Sequence, residues 1–162
     1  MRFQPARFCI RCGSAVEERV LFERSRPVCP ACGWVHFSDP KVAVEILVEQ
    51  DGQVLLVHRL NDPGKGEWSL PGGYMDSDEE PARAAERECL EETGLVVQVT
   101  HLIEVMQDRE YPNSADAVIA YAARVCGGSL RAGDDAGEAV FFPRACLPPI
   151  AFRVARKVLG LE

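Results

Sequence analysis

One stretch of the chain, Gly73–Leu95, decides the fold; it reads GYMDSDEEPARAAERECLEETGL. Its second half predicts a helix over Pro81–Glu92, because a proline suits the first helical turn and Gly94 suits the C-terminal stop. We expect Ser77 or Asp78 to cap the N-terminus of this helix, since both side chains can accept a hydrogen bond from a free backbone N–H.

The predicted helix carries three carboxylates along one side. At 100° per residue, Glu88, Glu91 and Glu92 fall within about one third of its circumference. Like charges at these spacings destabilise a helix, and anions in the last turn also oppose the helix dipole. A hard divalent cation such as Mg²⁺ removes both penalties, because it takes oxygen ligands. Taken alone, the helix also permits a simpler interpretation, a solvated glutamate-rich face.

The full spacing of this stretch resembles the Nudix box, G-x5-E-x7-R-E-U-x-E-E-x-G-U, in which U is a bulky apolar residue. Leu95 occupies the second U position, whereas Cys89 is smaller than the residue usual at the first. The preceding segment Trp68–Gly73 (WSLPGG) is similar to the approach strand common in the family. The fixed positions all match; they are Gly73, Glu79, Arg87, Glu88, Glu91, Glu92 and Gly94.

The resemblance to the Nudix hydrolase family implies the hydrolysis of a nucleoside diphosphate linked to another group, which gives a nucleoside monophosphate and a second phosphomonoester. It implies that the carboxylates of Glu88, Glu91 and Glu92 bind Mg²⁺ or Mn²⁺, with the Gly73 carbonyl as a further ligand. It also implies that Arg87 orients these carboxylates.

Other residue roles follow from the same resemblance. Glu79 is expected to fix the loop against the helix. The general base is open, because Glu88 serves in some family members and an acidic residue of a later loop serves in others; Glu138 is our candidate for the later position. Four residues are candidate substrate contacts, with solvation or core packing as their alternatives: Arg59 and Lys65 for phosphates, and Phe37 and Tyr111 for stacking on adenine.

Four cysteines near the N-terminus form two identical knuckles. Cys9 and Cys12 are followed after 16 residues by Cys29 and Cys32, a C-x2-C-x16-C-x2-C spacing. This pattern predicts a structural, four-thiolate zinc site. Two disulfides or four ordinary buried thiols are the alternatives, and disulfides need an oxidising compartment. A segment of ~40 residues cannot hold a core unaided, so the metal would supply its folding energy.

The chain is expected to contain two modules, a zinc ribbon over residues 1–38 and a Nudix hydrolase domain over residues 39–162. The ribbon resembles the extension of one Nudix subgroup, which includes NADH pyrophosphatases. Those enzymes carry a SQPWPFPxS stretch after the box, whereas residues 106–114 here read MQDREYPNS. The resemblance therefore favours ADP-ribose or FAD as substrate. NADH and, for a sanitising enzyme, nucleoside triphosphates are the alternatives.

The fold class expected is α/β, the α/β/α sandwich of the Nudix family with a mixed sheet, preceded by the small zinc ribbon. A second helix is expected after Pro149, because Ile150, Val154 and Val158 repeat at i+4, and Gly160 would end it. The remaining patterns predict strands over residues 42–49, 53–60, 67–70, 95–106, 116–126 and 138–142, with a tight turn at residues 51–52.

Length, composition and charge argue against several classes of protein. The chain has 162 residues, 47% of them hydrophobic, and a net charge of −7, which is typical of a globular protein. No apolar run reaches the ~18 residues of a membrane span, and no signal peptide is evident, so a cytoplasmic location is expected. Acidic charge argues against nucleic acid as the main partner. The remote alternative is a non-enzymatic zinc-ribbon binding module, and the resemblance also permits a homodimer.

Three further cysteines lie in apolar patterns of the second module. Cys89 falls in the predicted helix, Cys126 at the end of a predicted strand and Cys146 near the C-terminus. We expect all three to be small core residues.

Overall fold

The computed structural model describes residues 6–108, 110–111 and 115–162. The chain divides into two compact units, Met1–Pro40 and Lys41–Glu162; residues 1–5 of the predicted ribbon lie outside the described residues. The elements, in chain order, are β1 (Glu17–Leu21), β2 (Arg24–Val28), β3 (Val42–Gln50), β4 (Gln53–Arg59), β5 (Trp68–Ser69), β6 (Gly72–Tyr74), α1 (Pro81–Thr93), β7 (Leu95–Gln107), β8 (Ala117–Gly128), β9 (Ala136–Pro143) and α2 (Arg153–Val158).

The first unit contains one antiparallel hairpin, formed by β1 and β2. Phe22 and Glu23 connect the two strands, and both have positive φ angles, 52° and 62°. Such a turn matches the right-handed twist of a two-residue hairpin, although glycine or asparagine is usual at these positions. This departure explains why turn chemistry did not point to the hairpin in the sequence.

The second unit is built on a seven-stranded mixed sheet with the central order β5-β4-β3-β8-β7, in which β6 also pairs with β3 and β9 with β4. The pairing of β3 with β8 is parallel, and the other pairings are antiparallel. Strands β3 and β4 pair only beside their connecting turn. The opposite end of β3 is therefore free to pair with β6, which the sequence did not predict.

Helices cover both faces of this sheet. Successive side chains of β3 point to opposite faces, so Val44 and Ile46 pack in one core cluster with Ala85 and Cys89 of α1. On the other face, Leu47 packs with the apolar residues of the segment that contains α2. The expected α/β/α sandwich with a mixed sheet is confirmed.

The start of α1 differs from the expectation. The residue at the N-cap is Glu80, and its side chain makes no capping hydrogen bond. The expectation that Ser77 or Asp78 would cap the helix is wrong, because Pro81 occupies the first helical turn and the cap must directly precede it. Gly94 ends the helix as expected, with a left-handed φ of 68° and its N–H bonded to the Leu90 carbonyl.

The three remaining cysteines have different surroundings. Cys89 is fully buried between α1 and the sheet, as expected. Cys126 and Cys146 are exposed, so their prediction as core residues is wrong. Cys126 lies near the end of β8, and Cys146 lies in the connection after β9, where no second layer covers them. None of the helices in the described part of the chain has the length and apolar character needed to cross a membrane.

Candidate active site

Arg87 connects the loop before α1 to the carboxylates of the helix. Its Nε and Nη2 atoms donate to the two carboxylate oxygens of Glu79, both at 2.9 Å. Its Nη1 atom donates to Glu88 at 2.7 Å and to Glu91 at 3.0 Å. These hydrogen bonds to Arg87 hold the pKa of Glu79 below its usual value. A two-pronged, charge-assisted contact of this kind fixes orientation as well as charge.

Two consecutive glycines let the backbone of β6 approach the other side of the carboxylates. A Cβ atom on Gly73 would lie 2.6 Å from the carboxylate carbon of Glu88, so a side chain there would displace this carboxylate from its observed position. The N–H of Gly72 donates to Glu92 Oε2 at 2.8 Å. Glu88 and Glu92 are 8% and 3% exposed, respectively. The glycines therefore create the space in which both carboxylates are buried.

These buried carboxylates repel one another. Burial raises the pKa of Glu92 to about 8; the Gly72 N–H opposes this rise, and the negative charges of Asp135 and Glu88 add to it. Burial also raises the pKa of Glu88, while Arg87 opposes the rise. Two neighbouring buried carboxylates with excess negative charge have the chemistry that Mg²⁺ or Mn²⁺ requires. The donor set of this site therefore fits a hard divalent cation.

A later loop closes the end of α1. The N–H groups of Arg131 and Gly133 donate to the carbonyls of Thr93 and Glu92, at 2.9 and 3.0 Å. These bonds satisfy carbonyls that a helix C-terminus leaves free. They also bring Asp135 close enough to Glu92 to raise the pKa of that glutamate.

The first unit holds a second group of possible metal ligands. Within the described residues, Cys9, Cys12, Cys29 and Cys32 form the only cluster of three or more such side chains whose ligand atoms all lie within 4.8 Å of one another. Three sulfur–sulfur distances in it are 3.5 to 3.7 Å. A tetrahedron with Zn–S bonds of ~2.3 Å has edges of ~3.8 Å.

The two cysteine knuckles have the same backbone geometry. Gly13 donates to the Cys9 carbonyl and Gly33 to the Cys29 carbonyl, at 2.9 and 3.0 Å, and both glycines have a φ of 74°. The four thiols are free rather than joined as disulfides. The cluster therefore has the geometry of a zinc site, and its sulfur–sulfur distances of 3.5 to 3.7 Å are much longer than the ~2.05 Å bond of a disulfide.

Comparison with known proteins agrees with both units. The model of the NUDIX domain family matches residues 39–159, and a model described as Nudix N-terminal, a zinc ribbon, matches residues 7–38. This chain belongs to the Nudix hydrolase family. The recognition that the box suggested is confirmed, and with it the assignment of the chain as an enzyme.

Individual relatives extend this result. The chain is 44% identical over 115 residues to a Methanocaldococcus jannaschii protein named ADP-ribose pyrophosphatase, across 70% of this chain and 68% of that protein. A solved NUDIX hydrolase from Nitrosomonas europaea superposes with a TM-score of 0.85 and 31% identity, covering 95% of this chain and 88% of its own. A solved ADP-ribose pyrophosphatase from Streptococcus suis gives a TM-score of 0.62 and 29% identity, covering 76% and 91%.

The acidic residue expected from the later loop of this Nudix hydrolase has two possible positions. Glu138 is exposed in β9, opposite His58 of β4. Within the described residues it makes no hydrogen bond or ion pair with the box carboxylates. Asp135, three residues earlier, is the one that influences Glu92. Sequence reasoning missed Asp135, although the run Gly133-Asp134-Asp135 placed two acids at the turn before the closing strand.

The four candidate substrate contacts of the Nudix hydrolase lie in different surroundings. The guanidinium of Arg59 stacks over the ring of Phe152, 4.6 Å from its centroid, and the ring of Tyr111 lies 6.0 Å from the same ring. Lys65 is exposed in the loop between β4 and β5. Phe37 belongs to the ribbon, where Arg26 stacks on it. The structure therefore brings Arg59 and Tyr111 together through Phe152, a residue that the sequence did not single out.

Removal of zinc tests the role of the cysteine cluster. We expect strong chelation to unfold residues 7–38, because this small unit depends on the metal for its stability. In a ¹⁵N–¹H spectrum the ribbon signals should collapse, while those of residues 41–162 keep their dispersion. Cys12→Ser should reproduce the loss, and Cys126→Ser, a change at an exposed cysteine outside the cluster, should not. Ribbon signals that survive verified metal removal would contradict a structural zinc.

Proposed function

We propose that the chain is a divalent-cation-dependent pyrophosphatase whose preferred substrate is ADP-ribose, with FAD as a second substrate of the same class. Water attacks one phosphorus, the bridging P–O bond breaks, and ADP-ribose yields AMP and ribose 5-phosphate. The single observation that carries the proposal is the pair of buried carboxylates, Glu88 and Glu92, held against the Gly72–Gly73 backbone. The identity of 44% to a protein named ADP-ribose pyrophosphatase supports the choice of substrate.

The box residues take the following roles in this proposal. Glu88, Glu91 and Glu92 would hold Mg²⁺ or Mn²⁺, together with the Gly73 carbonyl. The cation, when bound, neutralises charge on the phosphates and lowers the pKa of a bound water. Glu91 has a half-exposed side chain, so its carboxylate would be accessible to a cation that arrives with the substrate's phosphates. Arg87 positions Glu88 and Glu91 through the hydrogen bonds described above and does not itself touch the substrate.

We further propose that Asp135, rather than Glu138, supplies the acidic residue of the later loop. A general base must be within hydrogen-bond reach of the attacking water, directly or through one further water. The proximity of Asp135 to Glu92 supports its place beside the cation, whereas Glu138 faces solvent. The role of Glu138 as general base therefore stays a prediction, and the experiment below distinguishes it from Asp135.

The proposal also includes the domain organisation of the chain, its zinc site, its location in the cell and its oligomeric state. We propose a zinc ribbon over residues 1–38 and a catalytic domain over residues 39–162, supported by the division of the chain at Pro40. Zinc in the ribbon is supported by the cluster of four thiols. We propose a reducing, cytoplasmic location as well, because reduced thiols can bind the metal there. We also propose a homodimer, on the basis of the family resemblance alone. Sedimentation analysis, which measures the mass of the particle in solution, would test it. NADH is not favoured as the substrate, because residues 106–114 differ from the stretch that NADH pyrophosphatases carry. Residues 109 and 112–114 of this segment lie outside the described residues.

A hydrolysis panel tests the substrate. With Mg²⁺ and separately with Mn²⁺, we expect chromatography to show AMP released fastest from ADP-ribose or FAD, and more slowly from NADH, NAD⁺ and nucleoside triphosphates. Glu92→Gln should lower turnover at least ~100-fold, the scale for loss of a main electrostatic group. Its control, Glu80→Gln, changes an exposed glutamate at the start of the same helix and should keep the wild-type rate. Faster cleavage of triphosphates would overturn the choice of substrate.

Paired variants separate the two candidate bases. We expect Asp135→Asn to lower kcat for ADP-ribose by ~10²-fold or more, because general-base catalysis contributes on this scale. Glu138→Gln should stay within about twofold of wild type. Steady-state kinetics at saturating metal, with circular dichroism to verify folding, decides between them. A large loss with Glu138→Gln and none with Asp135→Asn would restore the prediction made from the sequence.

A further inference from the structure

Asn61 contacts Asp135, the residue proposed above as the acidic group of the later loop. The Nδ2 atom of Asn61 donates a hydrogen bond to Asp135 Oδ2 at 3.4 Å. The backbone N–H of the preceding residue, Leu60, donates to the Asp135 carbonyl at 3.3 Å. Two consecutive residues after β4 therefore hold both the main chain and the side chain of Asp135, from a distant part of the sequence.

A bulge in the pairing of β4 with β9 brings these residues together. The register of the two strands shifts between His58 and Arg59, and Gly137 is left without a Cα partner in it. A Cβ atom on Gly137 would lie 2.9 Å from the side chain of Leu60. Bulges of this kind redirect a strand and are common beside active sites. This bulge lets Asp135, which directly precedes β9, lie against the segment that follows β4.

The loop that carries Asn61 is closed by hydrogen bonds at both ends. The backbone N–H of Arg59 donates to the Glu67 carbonyl, and the N–H of Gly66 donates to the Arg59 carbonyl, both at 2.9 Å. Inside the loop, the Nε atom of Arg59 donates to the Pro63 carbonyl at 2.8 Å. These bonds fix the loop on the end of β4, so they also fix the position from which the Asn61 amide acts.

The residue type at position 61 suits a carboxylate that must stay charged near a cation. Asp135 and Glu92 are both acidic, and the charge of Asp135 helps to raise the pKa of Glu92. The same repulsion favours rotation of the Asp135 carboxylate away from Glu92. A lysine or arginine at position 61 would hold the carboxylate but would also repel the cation. An asparagine amide supplies N–H donors without a charge.

We propose that Asn61 is a positioning residue for the general base of the reaction. Its amide binds Oδ2 of Asp135 and holds the carboxylate beside Glu92, which leaves Oδ1 to accept a proton from the attacking water. This inference rests on the proposed function, because it takes Asp135 as the base. A general base works only in the productive geometry, and small displacements of such groups lower the rate strongly. Asn61 therefore acts on kcat through Asp135 and does not itself touch the substrate.

Steady-state kinetics of the full chain with ADP-ribose and saturating Mg²⁺ test this role. Asn61→Ala, which removes the amide, should lower kcat at least ~10-fold and leave KM within about twofold, because the loss falls on the chemical step. Asn61→Gln keeps the amide on a longer side chain and should stay within about threefold of the wild-type kcat. A loss that appears in KM while kcat is unchanged would overturn the inference.

Gln50→Ala is the matched control. Gln50 is an exposed amide residue at the end of β3, so its removal should leave both kinetic constants at the wild-type values. Asn61 is exposed as well, and the backbone bond from Leu60 to Asp135 does not depend on the side chain at position 61. We therefore expect Asn61→Ala to fold with an unchanged melting temperature. Failure of this variant to fold would show a structural requirement and would overturn the inference.

A double-mutant cycle separates the positioning of Asp135 from a merely structural role. When Asn61→Ala is added to Asp135→Asn, the further loss in kcat should be less than about twofold, because the group that Asn61 positions is already gone. If Asn61 only ties two loops together, its removal should cost the same factor in both backgrounds. That result would overturn the inference.

The remaining outcomes separate this inference from the proposed function. A wild-type kcat for Asn61→Ala beside a large loss for Asp135→Asn overturns the role of Asn61 and leaves Asp135 as the base. A wild-type kcat for Asp135→Asn overturns the assignment of the base and, with it, the role of Asn61. If the hydrolysis panel favours a different nucleotide, a non-additive cycle measured on that nucleotide overturns the proposed substrate alone and leaves the role of Asn61 standing.

Discussion

The close approach of the Gly72–Gly73 backbone to α1 is the constraint on which the rest of the site depends. A Cβ atom on Gly72 would lie 2.2 Å from the Val44 carbonyl, and one on Gly73 would meet the carboxylate of Glu88. Strands β3 and β6 can therefore pair in this way only if residue 72 lacks a side chain, and Glu88 can keep its position only if residue 73 does too. The same approach buries Glu88 and Glu92 and aims the Gly72 N–H at one of them, so packing and chemistry share one structural cause.

Burial of like charges makes this site unfavourable for the protein alone. Arg87 offsets the charge on the side of Glu79, Glu88 and Glu91 through a network of hydrogen bonds. Among the described residues no basic side chain hydrogen-bonds to Glu92, whose pKa burial raises to about 8. Structures keep such unpaired charge where function requires it, at a cost to stability. A divalent cation bound between these carboxylates would remove the remaining repulsion.

Local patterns in the sequence predicted the parts of the structure that local geometry controls. The spacing of Arg87, Glu88 and Glu91 on one helix follows from 3.6 residues per turn, and the two cysteine knuckles follow from a tight turn repeated twice. Contacts between residues that are distant in the sequence could not be predicted from these local patterns. Asp135 lies near Glu92 because its loop bonds to the last carbonyls of α1. This contact leaves no signal in sequence spacing, which is why Glu138 was chosen instead of Asp135.

Paramagnetic relaxation by Mn²⁺ tests most directly whether the carboxylates of α1 hold a divalent cation. Substoichiometric Mn²⁺ broadens the amide signals of nuclei near its binding site in a ¹⁵N–¹H spectrum. The account predicts that the amides of Gly72, Gly73, Glu88 and Glu92 broaden first, and that Glu92→Gln abolishes this selectivity. First broadening elsewhere, or the same pattern in Glu92→Gln, would contradict the account.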